Sequence, residues 1–331
     1  MPSAITRLSL VTLCAVTLAA GCSAAPEPVA PPPVTSAAPS PSPTPPPKPV
    51  PPPPPGAIRP IAAPTGCTST VTVGTALRPT LAAATPGSTI CLHGNLGARL
   101  SISRSGTAQA PIRVLGDGTT SVTGIGIEAN YVTVSRVNVI RPPAPGVVLS
   151  GNTITLENST VMSPQGDDGD GIRFWGSNIV IRHNTIAHTR NANHAHADCM
   201  QTFATDSDNP ASQRILIDNN RCEDIDNNCL IVEGPNSEAG DGSGVGSTSN
   251  ITYSNNYCAN RAAQAVLIDD VSRVTLTNNE IVGADHAFAL QNGTSGAKIS
   301  GNKLHAGVQF EVGMDASSRT GYQGPPSGGP P

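Results

Sequence analysis

Two short stretches of the chain concentrate the side chains that could do chemistry. NANHAHADCMQTF, residues 191–203, carries His194, His196, Asp198, Cys199 and Gln201. QGDDGDGIRFW, residues 165–175, carries Asp168, Asp170, Arg173 and Trp175. A histidine takes or gives a proton near neutral pH, and a neighbouring carboxylate or guanidinium can orient or neutralise the reacting group. Carboxylates and carbonyls on a Gly-rich turn suit a hard cation, which makes Asp168, Asp170 and Asp198 candidate Ca²⁺ ligands. Cys199 beside these histidines also raises zinc. A zinc site, however, wants free thiolates at short spacing, and the chain has no CxxC.

Side chains of such different types act together only on a rigid frame, and that frame is visible as a repeat. NTITLENSTV, SNIVIRHNTI, QRILIDNNRC, SNITYSNNYC, SRVTLTNNEI and GAKISGNKL each alternate β-branched or leucine residues, then turn at Asn, then place one apolar residue. The inward pairs are Ile154/Leu156, Ile179/Ile181, Ile215/Ile217, Ile251/Tyr253, Val274/Leu276 and Ala297/Ile299. The Asn column is Asn184, Asn220, Asn256, Asn279 and Asn302, and its last three members stand about 23 residues apart. A second strand precedes each unit, at 172–174, 200–202, 230–232, 266–268 and 288–290. Period-2 strands at this spacing, with no helical run between them, predict an all-β parallel solenoid in which Asn side chains stack at one corner.

On these residues the chain resembles the right-handed parallel β-helix proteins of the pectin-lyase-like superfamily, over about residues 70–307. The expected fold is a single-stranded right-handed parallel β-helix. TALRPTLAAATPGSTICL looks like that family's short N-terminal capping helix, which covers strand edges the first rung would leave bare.

The rung alignment makes disulfide pairing testable. Cys222 and Cys258 share one position in successive rungs, and Cys199 and Cys229 share another. Stacked rungs lie about 4.8 Å apart, within reach of a disulfide, so rung-to-rung pairs are expected, with Cys67 and Cys91 left to pin the cap.

Two rungs are interrupted after the second strand, by 203–213 and by 233–250, so loops should wall a groove beside the polar stretches. If Ile172, Met200 and Leu230 point inward, Arg173 and Gln201 point outward onto the groove floor. Asp170 and Asp198 share the inward parity, and face the groove only if a turn intervenes. Trp175 and Glu233, at the mouth of the second interruption, join Gln201 as candidate substrate contacts.

The resemblance implies cleavage of an acidic, uronic-acid-containing polysaccharide by β-elimination. That reaction needs neutralisation of the carboxylate at C5, a base for the C5 proton and an acid for the leaving oxygen. With lysine confined to Lys48, Lys298 and Lys303, Arg173 is the candidate base. His194 or His196 is an alternative base or acid, Asp198 completes the catalytic set, and Asp168, Asp170 and Asp198 are placed to hold Ca²⁺. DGI at 170–172 and ADC at 197–199 are also similar to the polygalacturonase pattern of hydrolysis. Ala197 departs from it, and its later Gly-His-Gly and Arg-Ile-Lys elements are missing. A third reading is a non-catalytic glycan-binding scaffold, which the scarcity of aromatic residues disfavours.

The ends of the chain speak to location. Arg7 followed by LSLVTLCAVTLAA has the length of a signal-peptide core, and LAAGC resembles the bacterial lipobox, with Ala19 where leucine is usual. Residues 1–21 are thus expected as a lipoprotein signal and Cys22 as the lipid attachment site. This would give a membrane-anchored protein of the cell surface or envelope. Residues 22–65 are rich in Pro, Ala, Ser and Thr, a composition that predicts an extended disordered stalk. Residues 66–315 form the expected domain and 316–331 a flexible tail. A net charge of −4 argues against nucleic acid, and a monomer is expected.

Overall fold

The computed structural model describes residues 64–166, 168–191, 196–237 and 246–331. The expected signal segment, Cys22, nearly all of the stalk and His194 lie outside these residues.

The alternating sequences fold as predicted. The described residues coil into a parallel β-solenoid of about ten turns with one α-helix, Gly74–Ala82, at its start. Each full turn carries three strands. The first set includes Ile125–Glu128, Val147–Asn152, Ile172–Ser177, Met200–Phe203, Leu230–Glu233 and Gln264–Asp269, each paired in parallel with the next. The second carries the residues that lead into the Asn turn, and the third is an eight-stranded sheet running from Ser121–Val122 to Lys303–Leu304. Inward positions stack Ile127, Leu149, Phe174, Thr202 and Val232 on the first face, all of them buried. Such a core is extended rather than spherical, because each turn buries its apolar side against the two beside it.

The Asn corner has a simple logic. His183, Asn219, Asn255, Asn278 and Gly301 adopt positive φ of 55° to 70° and turn the chain, a conformation Asn and Gly accept at little cost. The Asn that follows points into the coil. Asn184, Asn220, Asn256 and Asn279 each donate a backbone N–H at 2.8 to 3.0 Å to the Oδ1 of the Asn one turn on. Their Nδ2 atoms donate to that same oxygen and to a strand carbonyl, such as Ile217 O for Asn256. Every buried polar atom of the corner is satisfied by its neighbour, which makes the column structural.

Two expectations are corrected. Cys67–Cys91 forms as predicted, but the other pairs are Cys199–Cys222 and Cys229–Cys258 rather than rung-to-rung bonds. Cys222 and Cys258 do stand in register as neighbours. Yet Cys199 opens the turn that Cys222 closes, and Cys229 opens the turn that Cys258 closes. The two columns face each other across the coil interior with Cα atoms 5.9 Å apart, so each bond locks one turn into a ring. Residues 316–331, expected as a flexible tail, pack under the last turn. Gln323 N donates to Ala297 O, Ile299 N to Gln323 O and Gly328 N to Val312 O. The segment satisfies groups that an open final rung would leave bare, and so serves as the C-terminal cap.

Candidate functional site

The outer side of the first strand set is the groove floor. Arg173 and Gln201 are register partners on adjacent strands, as the parity predicts. Arg173 Nε donates to Asp170 Oδ2 at 2.7 Å, and its Nη2 pairs with Asp168 Oδ2. The guanidinium lies 5.5 Å from the Phe203 ring centroid, with 17% of the side chain exposed. Its Nη1 has no protein partner among the described residues. Burial alone would lower its pKa, but the Asp170 and Asp168 carboxylates outweigh that and hold it above the ordinary arginine value. Arg173 is therefore a fixed cation, and the expectation that it acts as a base is corrected.

The turn that would bring Asp170 and Asp198 to the surface does not do so; both are fully buried. Asp170 Oδ1 accepts the Asp198 N–H at 2.8 Å. Asp198 Oδ1 accepts from Asn228 N at 2.8 Å and Asn227 Nδ2 at 2.9 Å. Asp198 Oδ2 is buried without a partner. Burial raises Asp170 to about 6 against the opposing pull of Arg173. Burial, then the charge of Asp170, lifts Asp198 well above the usual carboxylate range, while the Asn228 and Asn227 donors oppose the shift.

These commitments do not fit the expected Ca²⁺ position. Both Asp170 oxygens and one from each of the other two are already used. Among the described residues no three acidic, histidine or cysteine side chains converge as a cation site.

The insertion between the third and first strand sets is tied down at both ends. Asn191 N donates to Asp226 Oδ2 at 2.9 Å, and Thr189 Oγ1 to Ala197 O at 2.7 Å. Beneath it, His188, Arg190 and Arg261 converge on Asp224, and their hydrogen bonds, led by that of Arg190, keep its pKa far below the usual range. His196 is exposed on this insertion.

The first loop wall is formed as expected. Ser207, Asp208 and Asn209 overhang an open trough of about 620 Å³ that continues past Trp175 to Ser150 and Glu128. Trp175 lines the trough but is only 7% exposed. Its Nε1 donates to Phe203 O at 2.8 Å, and the two rings meet edge to face, so it is not the open sugar platform the sequence suggested. Gln201 is buried with Oε1 unpartnered, and Glu233 is half-buried at the end of its strand. The trough residues Glu128, Asn130 and Ser150 were missed because no motif marks them. Aligning GIG at 124–126, GVV at 146–148 and GIR at 171–173 as successive rung starts would have placed Val148 and Gly126 in the Arg173 column.

Coiled parallel strands, an inner amide ladder and a loop-walled groove on one outer face define a β-helix protein with a surface cleft. The model of the right handed beta helix region matches residues 123–304, more than half of the chain, and the protein belongs to that family. No curated protein sequence matches it.

Among solved structures, the chain is similar to a mannuronic acid specific polysaccharide family 6 lyase from human gut microbiota. The identity is 13% and the TM-score 0.51, covering 74% of this chain and 67% of that one. An alginate lyase from Paenibacillus sp. str. FPU-7 is 15% identical with TM-score 0.42, covering 76% and 100%. A PL6 alginate lyase in complex with trisaccharide is 14% identical with TM-score 0.45, covering 75% and 61%. At these identities the likeness is one of fold.

Proposed function

We propose that the protein binds an acidic, uronic-acid-containing polysaccharide along this groove and cleaves it by β-elimination. The observation that carries the reading is the guanidinium of Arg173, held by two carboxylates at the floor of an open trough with Nη1 left free. β-Elimination builds negative charge on the substrate carboxylate as the C5 proton leaves, and a prepositioned cation stabilises that charge without reorganising. Arg173 is the neutralising group in this scheme. The exposed His196 is the candidate base, and Gln201 and Glu233 border the bound sugar. Polygalacturonase-like hydrolysis is the weaker reading, because it asks Asp170 and Asp198 to serve as solvent-reaching acid and base while both are fully buried.

The test is incubation of the full chain with uronic-acid polymers while ultraviolet absorbance of the unsaturated product is followed. A rise that is lost in Arg173→Ala supports the scheme. New reducing ends without absorbance point to hydrolysis and sink it, as does the absence of any cleavage.

A further inference from the structure

Two turns of the coil before Arg173, a second guanidinium lies on the same face. Arg99 is exposed and stretches across the strand Ile125–Glu128, donating through Nη2 to Ile125 O at 3.1 Å. The bed it occupies is made by two glycines. A Cβ on Gly124 would collide with Nη1, and one on Gly126 would sit 3.6 Å from both Nε and Nη2. Among the described residues no carboxylate pairs with Arg99, whereas Arg173 is offset by Asp168 and Asp170. Gly126 pairs with Val148 and Val148 with Arg173, so Arg99 overlies the same column two rungs away.

We infer that Arg99 is a second carboxylate-binding residue of the groove, which selects glycan chains presenting a uronate to the floor at every second sugar. Two rungs span about 10 Å, and an extended glycan advances by about one rung spacing per sugar. A chain lying along the coil axis would then set one carboxylate on Arg99 and another near Arg173. The sugar between them passes over Val148, which has no charge to meet. Glu128, beside Gly126 in the trough, discourages an additional carboxylate on that side. Because Arg99 has no internal counter-ion, its contact adds affinity. Arg173, already paired, contributes chiefly when charge develops in the transition state.

This inference rests on the acidic-glycan reading, and binding separates the two. Calorimetric titration of the full chain with oligomannuronate, and with the same oligomer after reduction of its carboxyl groups, is the measurement. Arg99→Ala should weaken binding of the charged oligomer by about tenfold and leave the reduced oligomer unaffected. Gly124→Ala keeps the arginine but displaces it, and should give the same loss. The atom it disturbs is the end of a flexible side chain, so the fold has little reason to fail. If both variants bind as the unaltered protein does, or if the unaltered protein ignores oligomannuronate, the inference is overturned. Loss of binding in both variants, with no unsaturated product from the unaltered protein, would uphold Arg99 while rejecting elimination.

Discussion

Two corners of the coil use the same device to different ends. At one, Asn184 to Asn302 pass hydrogen bonds from turn to turn, each amide supplying the donor and the acceptor its neighbours need. At the other, beside the groove, Asp170, Asp198 and Asn228 occupy successive turns, and Asp170 and Asp198 each accept the next residue's backbone N–H. An amide ladder closes on itself and is electrically neutral. A carboxylate ladder accepts without donating, so it leaves Asp198 Oδ2 orphaned and raises both pKa values. Stability alone would favour Asn at all these places. The carboxylates make sense if that corner exists to hold Arg173 over the groove floor.

The largest expected effect follows from removing the cation that the acidic corner serves. Arg173→Met strips Asp170 of its counter-ion while leaving it buried against Asp198. Unfolding by denaturant should show a loss of about 3 kcal/mol, in the range for breaking one side of a buried pair. A loss no greater than that of an exposed ion pair would mean that Asp170 is held by its ladder partners and that the corner is not built around Arg173.

Exchanging the two chemistries at single positions is the more direct challenge. Asn256→Asp removes the donors to Ile217 O and Asn279 Oδ1 in the middle of the neutral ladder. It should destabilise by about 2 kcal/mol. Asp198→Asn does the reverse. Gln201 stands to Asp198 as Arg173 does to Asp170, three residues on in the adjacent rung, and its Oε1 is also buried and unpartnered. A new Nδ2 there gains an acceptor, and the protein should become more stable by about 1 kcal/mol at neutral pH. Equal destabilisation by both exchanges would show the corners to be equivalent and the carboxylates incidental.

The same contrast explains what could be seen without coordinates. The Asn column was legible because an αL residue followed by an inward amide leaves a fixed spelling, NN or HN, in every turn. Alternation around it revealed which side chains enter the core and put Arg173 and Gln201 side by side. The acidic corner has no such spelling, since DGDG and AHAD allow the carboxylate either orientation, and only the packing of Ile172 and Met200 decides. The cysteine columns were found by equivalence of position, but equivalence cannot say whether a bond runs along the coil or across it. Arg99 was invisible for another reason. It functions through two absent side chains, at Gly124 and Gly126, one rung away.

The smallest expected effect is a dependence on pH that belongs to one corner only. Asp170 has its folded pKa raised to about 6, so the unfolded chain releases this proton at lower pH than the native one. The stability it supports is complete below the unfolded value and is lost as pH rises through about 6. Acidifying from near neutral to about 5.5 should therefore stabilise the protein, by less than about 1 kcal/mol from this group. Asp224, held far below the usual range by Arg190, His188 and Arg261, stays ionised across that window and adds no opposing change. Asp170→Asn should flatten the slope whatever it does to the absolute stability. Asn256→Leu should lower stability and leave the slope alone, because the amide corner has nothing to titrate. A slope that survives Asp170→Asn would place the titrating group elsewhere and remove the electrostatic distinction between the corners.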